Sequence, residues 1–228
     1  AGPGCRNYTP VAVLGKMFRV LAEQARVPVV CHIDHAYTHE ECAIGIDNGF
    51  SSVMIDGSKL PLDENIEITA RVVEMAHRAG VSVEGEIGVV GYVSGGGSTM
   101  TSPDEAGRFD RESGVDALAI SVGNVHLSTE KTAGIDFDAV RRIEAVTHSP
   151  LVLHGGSGIP PAIRRQLARE TRVKKFNIGT ELRMVFGDAL RQSLADQPDC
   201  FDRLQLLGRT ITPLRVEARN IMKALAEG

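Results

Sequence analysis

From residue 27 onward, short apolar runs rich in β-branched residues alternate with longer segments whose apolar positions recur at helical spacing, and Gly, Pro, Asn or Asp marks the junctions. The runs predict strands at VPVVCHI (27–33), SSVMI (51–55), VSVEGEI (81–87), DALAISV (116–122), PLVLH (150–154) and VKKFNI (173–178). Helices are expected over 10–26, over THEECAIGIDNG with Thr38 as N-cap, and over PLDENIEITARVVEMAHRAG with Pro61 in the first turn and Gly80 as the stop. TSPDEAGRFDRESG has the same layout, and 180–195 and most of 199–227 also read as helical. Repeated βα units with nearly continuous apolar strands imply an α/β fold whose parallel sheet is covered by helices, either doubly wound or closed as a barrel.

Composition narrows the function classes. The chain has 228 residues, 43% of them hydrophobic, enough for a substantial core, and its net charge of -4 offers no basic patch to track a nucleic-acid backbone. Apolar runs fall short of the roughly 18–20 residues that span a bilayer, and the N-terminus lacks signal-peptide regions, so a cytoplasmic protein with no membrane partner is expected. Four cysteines without CxxC spacing read as reduced thiols.

In either architecture ligands gather at the strand C-terminal ends. Those ends carry Asp34 and His35, Asp56, Glu84 and Glu86, Asn124 and His126, His154, and Asn177. A lone histidine is most often a hydrogen-bonded core residue, but His35, His126 and His154 on three strand ends suit a catalytic Zn2+ with one position open. Glu86 offers an alternative ligand, and Asp56 a ligand for a second ion. HGGSGIP (154–160) and NIGTE (177–181) are two Gly-bearing turns before helices, where backbone N–H groups suit a phosphate. The third glycine cluster, GYVSGGGSTM (91–100), reads as a loop over the site or one without a role. Asp34, beside His35, is the candidate proton carrier, with orientation of a histidine as its other reading.

HIDHA, SSVMIDGSKLPLDENI, VSVEGEIGVVG, GVDALAISVGNVH, PLVLHGGSGIP and VKKFNIGTEL together resemble the class II, metal-dependent ketose-bisphosphate aldolases, from about residue 27 to 194. The resemblance implies a (β/α)8 TIM barrel, homo-oligomeric as a dimer or tetramer, that cleaves a phosphorylated ketose to dihydroxyacetone phosphate and an aldehyde. It implies Asp34 as acid/base and His35, His126 and His154 as zinc ligands. It further implies Glu86 as alternative ligand, Asp56 as neighbour of the metal, and Gly155, Gly156, Ser157, Asn177, Ile178, Gly179 and Thr180 as the dihydroxyacetone phosphate site. A metal-dependent hydrolase or isomerase, or a catalytically silent subunit, are the alternatives.

Four departures stand out. Six strands are read where a barrel needs eight, so the first two are expected before Ala1, with 1–228 a single barrel domain, N-terminally incomplete, that carries a helical extension from about 199. The family's loop glutamate is missing after EIGVVG, so either another group, such as Asp104 or Glu105, takes over its proton exchange, or that exchange is slow. Leu127 stands where the family has glycine, next to the phosphate and its accompanying monovalent cation. Gly179 replaces the aspartate of fructose-bisphosphate enzymes. Finally, strict strand alternation sends Asp34 and His35 to opposite faces, so the first strand is expected to stop near Ile33 and the chain to turn there.

Overall fold

A computed structural model describes residues 1–93, 95 and 97–226. Two N-terminal helices, α1 (Pro3–Tyr8) and α2 (Val11–Gln24), precede the series β1 (His32–Ala36), α3 (His39–Asp47), β2 (Ser52–Ile55), α4 (Leu62–Arg78), β3 (Ser82–Ile87), α5 (Pro103–Ser113), β4 (Ala117–Ile120), α6 (Phe137–Glu144), β5 (Leu151–Leu153), α7 (Pro161–Glu170), β6 (Val173–Phe176), α8 (Thr180–Asp196) and α9 (Arg203–Ala226). The punctuation behaves as its chemistry requires. Thr38 caps α3 by accepting from the Glu41 amide at 3.2 Å, and Gly80 and Gly114 take the left-handed conformation after α4 and α5.

All six strands are parallel and pair in chain order. Along β3 the side chains alternate: Val83 and Ile87 enter the main core beneath the helices, while Glu84 and Glu86 are buried on the other side of the strand. Phe109 of α5 packs so closely on Gly85 that a Cβ there would lie 2.8 Å from its ring. The large core under the helices is complemented by a small cluster of Met54, Ala119 and Val152 from β2, β4 and β5.

The expected eight-stranded barrel is not what forms. Among the described residues six strands make an open half-barrel whose outer members, β1 and β6, are both edges of the sheet. The sheet still curls enough for side chains to meet across the gap, with Asn177 Nδ2 donating to Asp34 Oδ1 at 3.0 Å and Lys175 Nζ 3.2 Å from His32 Nε2. Side chains, not a β1–β6 ladder, close the concave face.

The first strand also departs from expectation. Val27, Val29 and Val30 are exposed and lie outside β1, which starts at His32 and runs on through Ala36. Its register explains how: Ile33 pairs with Val53 and Ala36 with Ile55, so β1 uses one residue more than β2 over the same span. That β-bulge replaces the predicted turn. In the glycine cluster, Ser94 and Gly96 lie outside the described residues; Val89 and Thr99 pair antiparallel at its base. Glu227, at the end of the predicted last helix, also lies outside them.

Gly15 of α2 tests this packing, because a Cβ there would sit 2.0 Å from the Asn48 carbonyl oxygen. Intrinsic helix propensity favours alanine over glycine by about 1 kcal/mol. We expect Gly15→Ala nonetheless to lower the melting temperature; a rise would contradict the close α2 contact.

Candidate active site

The bulge sets up the site. His35 has φ 51°, in the left-handed region that costs a side-chain-bearing residue about 1–2 kcal/mol. This backbone reversal lets consecutive residues Asp34 and His35 both line one cavity of about 560 Å³ at the C-terminal ends of the strands. The same cavity is lined by His126, Leu127, His154, Gly155, Ser157, Asn177, Ile178, Gly179 and Thr180. Asp56, Glu86 and Gly156 are the predicted residues outside its lining. Asp104 and Glu105 lie in the first turn of α5, exposed and away from the cavity, so the structure does not bring them to the site.

The three strand-end imidazoles converge. Ring nitrogens of His35, His126 and His154 lie within 4.8 Å of one another, and His35 Nε2 is 3.0 Å from His154 Nδ1. Both of those rings are oriented from behind by carboxylates. His35 Nδ1 is 2.8 Å from Asp56 Oδ2, and His154 Nε2 is 2.8 Å from Glu84 Oε1. With Nδ1–H of His35 and Nε2–H of His154 donating to those carboxylates, the opposite nitrogens face each other as lone pairs, which is how ligand histidines are held ready for a metal. His126 is stacked by Tyr92, with ring centroids 4.9 Å apart and planes at 26°.

The donor atoms of a second group, His35, Asp56 and Glu86, also lie within 4.8 Å of one another. It addresses the other ring nitrogen, since Glu86 Oε2 lies 3.7 Å from His35 Nδ1. Glu86 Oε2 is buried without a hydrogen-bond partner among the described residues. An orphaned buried carboxyl beside imidazoles fits a cation ligand or a protonated acid. The donor set as a whole, three imidazoles with an unpartnered carboxyl oxygen nearby, therefore suits a divalent ion such as Zn2+.

Electrostatics separate the groups. Burial would raise the Asp34 carboxyl, but His154, His35, His32 and Lys175 around it outweigh that and hold it below its ordinary value. Glu84 is likewise buried, yet its bond from His154 and the Lys175 ammonium bring it down to about 2. Burial and the nearby Asp56 push Glu86 up to about 8. Burial together with the neighbouring imidazoles His154 and His35 lowers His126 to about 4, so it is neutral at pH 7. His35 moves the other way: burial disfavours its charge, but the Asp56 hydrogen bond and Glu86 raise it overall.

The phosphate-suited turns are adjacent. Gly155 has φ 64°, and a Cβ there would meet the Val125 carbonyl oxygen at 2.2 Å, so glycine is required on both counts. Ser157 Oγ accepts from the Glu181 amide in the first turn of α8 at 3.1 Å, tying the two turns together. The Gly156 amide donates to the Asn177 carbonyl at 2.9 Å and so braces the turn from within. Leu127 holds the left-handed conformation at φ 59° with its side chain half exposed on the cavity wall.

Sequence reading missed several participants. Lys175 bridges Glu84 Oε2 at 2.5 Å and His32 Nε2 at 3.2 Å; only its place inside a strand-like run hints at an inward role. Glu84 was visible at a strand end, but its pairing with His154 spans 70 residues of sequence and leaves no local signal. Asn124, by contrast, is fully used inside the loop, bonding the Val122 amide and the carbonyls of Ile120 and His154. His32 Nδ1 lies 2.8 Å from Ser52 Oγ on the neighbouring strand.

Comparison with known proteins places this geometry. The family model for class II fructose-bisphosphate aldolase matches residues 1–227. A fructose-bisphosphate aldolase of Geobacillus stearothermophilus is 41% identical over 187 residues, covering 80% of this chain and 64% of that protein. A 6-phospho-5-dehydro-2-deoxy-D-gluconate aldolase of Shouchella clausii is 42% identical over 204 residues, covering 87% and 68%. The crystal structure of the YdjI aldolase of Escherichia coli K12 superposes with a TM-score of 0.82 at 28% identity, covering 98% of this chain and 78% of that one. The chain thus spans less than two thirds of the Geobacillus relative's length. With a family match over nearly every residue and a site of imidazoles and glycine turns at the strand ends, the chain belongs to the class II fructose-bisphosphate aldolase family.

Proposed function

We propose that this chain carries the catalytic machinery of a metal-dependent aldolase that cleaves a phosphorylated ketose to dihydroxyacetone phosphate and an aldehyde. The observation that carries the reading is the approach of His35 Nε2 to His154 Nδ1 at 3.0 Å, each ring held from behind by a carboxylate, beside the Asp34 carboxyl. The reading extends to a homo-oligomer acting on a small sugar phosphate. The relatives' names differ in substrate, so the aldehyde half is chosen by the cavity walls around a common reaction.

His35, His126 and His154 would hold the ion, with Glu86 as the alternative ligand and Asp56 orienting His35. A bound divalent cation supplies Lewis-acid polarisation of the substrate carbonyl. Asp34 takes the proton from the substrate hydroxyl. As that proton leaves, the carbon–carbon bond breaks, the hydroxyl oxygen becomes the aldehyde carbonyl, and the electron pair stays with the ketone half, which takes up a proton from water to become dihydroxyacetone phosphate. Asn177, bonded to Asp34 Oδ1, keeps the carboxylate turned into the cavity and presents its amide to the substrate. Gly155, Gly156 and Ser157, with Ile178, Gly179 and Thr180, form the phosphate cradle, and the Leu127 side chain narrows its approach.

Dialysis against a chelator should abolish release of dihydroxyacetone phosphate from a panel of ketose bisphosphates and 6-phospho-5-dehydro-2-deoxy-D-gluconate, and Zn2+ or Co2+ should restore it. Asp34→Asn should lower kcat by about 100-fold or more with metal content unchanged. Activity that survives complete metal removal, or unchanged turnover in Asp34→Asn, would contradict the reading, and products of hydrolysis or isomerisation would redirect it.

The buried neutral imidazoles also set an acid limit for the metal-free protein. His32 and His126 titrate at about 4 in the folded state against about 6.5 unfolded. Between those values the unfolded chain binds more protons, so stability falls as pH drops from 6.5 toward 4. Melting temperatures across that window should fall less steeply in His126→Gln; identical slopes would contradict the burial of a neutral His126.

A further inference from the structure

Arg6 belongs to no strand end and to neither glycine turn, yet its guanidinium lies behind the Asp34–His35 pair. Its Nη1 donates to the carbonyl oxygens of Ala1 at 2.6 Å and Asp34 at 2.7 Å, and its Nη2 donates to the carbonyl oxygen of His35 at 3.0 Å. Two of those carbonyls belong to the bulge that breaks strand alternation, and one belongs to the residue with positive φ. A peptide that leaves regular β geometry reaims its carbonyls, and each must find another donor or lose a hydrogen bond. The planar fork of a guanidinium can serve two adjacent carbonyls at once, which a single ammonium cannot do with the same geometry.

We infer that Arg6 is a positioning residue: its fork clamps the Asp34 and His35 carbonyls, holds His35 in the left-handed conformation, and so keeps the Asp34 carboxylate and the His35 imidazole in one cavity. Its functional consequence rests on the reading of His35 as a metal ligand and Asp34 as the proton carrier. Without the clamp, His35 relaxes to negative φ, and alternation turns its ring toward the helices, away from His154. The Asn177–Asp34 bond across the open side of the sheet then loses its fixed acceptor. Arg6 acts through the backbone and touches neither imidazole nor carboxylate, which separates it from the carboxylates Asp56 and Glu84 behind the rings.

Two measurements on the whole chain test the clamp. In a Co2+ titration followed by visible absorption, Arg6→Ala should bind at least about 10-fold more weakly than the unsubstituted protein, the scale seen when an outer partner of a ligand is lost. Added guanidinium ion should recover part of that loss, and Arg6→Lys should fall between. A crystal structure of metal-free Arg6→Ala should show His35 at negative φ and no Asn177–Asp34 hydrogen bond. A folded Arg6→Ala that keeps left-handed His35 and binds Co2+ like the unsubstituted protein overturns the inference. If Arg6→Ala fails to fold, Arg6→Lys carries the same two readouts. If the unsubstituted protein binds no Co2+, the metal reading fails, and the backbone of the variant still decides whether Arg6 is the clamp.

Discussion

A β-strand presents successive side chains to opposite faces, and this site needs two successive side chains on the same face. The conflict between Asp34 and His35 is resolved by a bulge and a left-handed histidine, and the remaining geometry follows from that resolution. Were His35 to take ordinary strand geometry, its ring would join Ile33 among the residues packed beneath the helices. His154 would then have no imidazole 3.0 Å away, and Asp56 no ring to orient. Strain of this kind persists only where surrounding contacts over-determine it. Here they do: Arg6 grips the carbonyls, Asp56 holds the ring, and Asn177 holds the neighbouring carboxylate.

Polarity on the concave face follows the same logic. The outer face of the sheet is filled with Val, Leu, Ile and Phe, whereas the inner face places Glu84 between Lys175 and His154, with His32 alongside. A buried carboxylate is tolerable only when fully partnered, and Glu84 has a cation on one oxygen and an N–H donor on the other. Glu86, two residues along, has an oxygen with no such partner, and burial beside Asp56 pushes its carboxyl up to about 8. One strand thus carries two buried glutamates shifted in opposite directions, one orienting a histidine and one with an oxygen left available for a cation.

The legible part of the fold was the part governed by local patterning. β2 to β6 begin and end within two residues of the runs that predict them, and the helix punctuation at Thr38, Pro61, Gly80 and Gly114 sits at or next to the helix ends. The β1 boundary was misread because Val27, Val29 and Val30 have strand composition while lying exposed ahead of the strand. Patterning left a doubly wound sheet and a barrel both open, the resemblance chose the barrel, and the six-stranded sheet does not close. At the site, His126, His154, Asp34 and Asn177 were legible because a parallel sheet collects its chemistry at strand ends. Partners joined across the curl left no trace in the sequence: Glu84 with His154, Lys175 with His32, and Arg6 with the Asp34 and His35 carbonyls. For the missing loop glutamate the sequence pointed to Asp104 and Glu105, which instead sit in the first turn of a helix, where acidic residues favour the dipole.

Convergence of three imidazoles from three strand ends is the feature on which the functional reading stands. X-ray absorption at the zinc edge of the protein loaded with one equivalent of Zn2+ examines it directly. The predicted spectrum has imidazole scattering from three nitrogens at about 2.0–2.1 Å, and it loses one imidazole in each of His35→Ala, His126→Ala and His154→Ala. A first shell of oxygens alone, or one unchanged by all three substitutions, would contradict it.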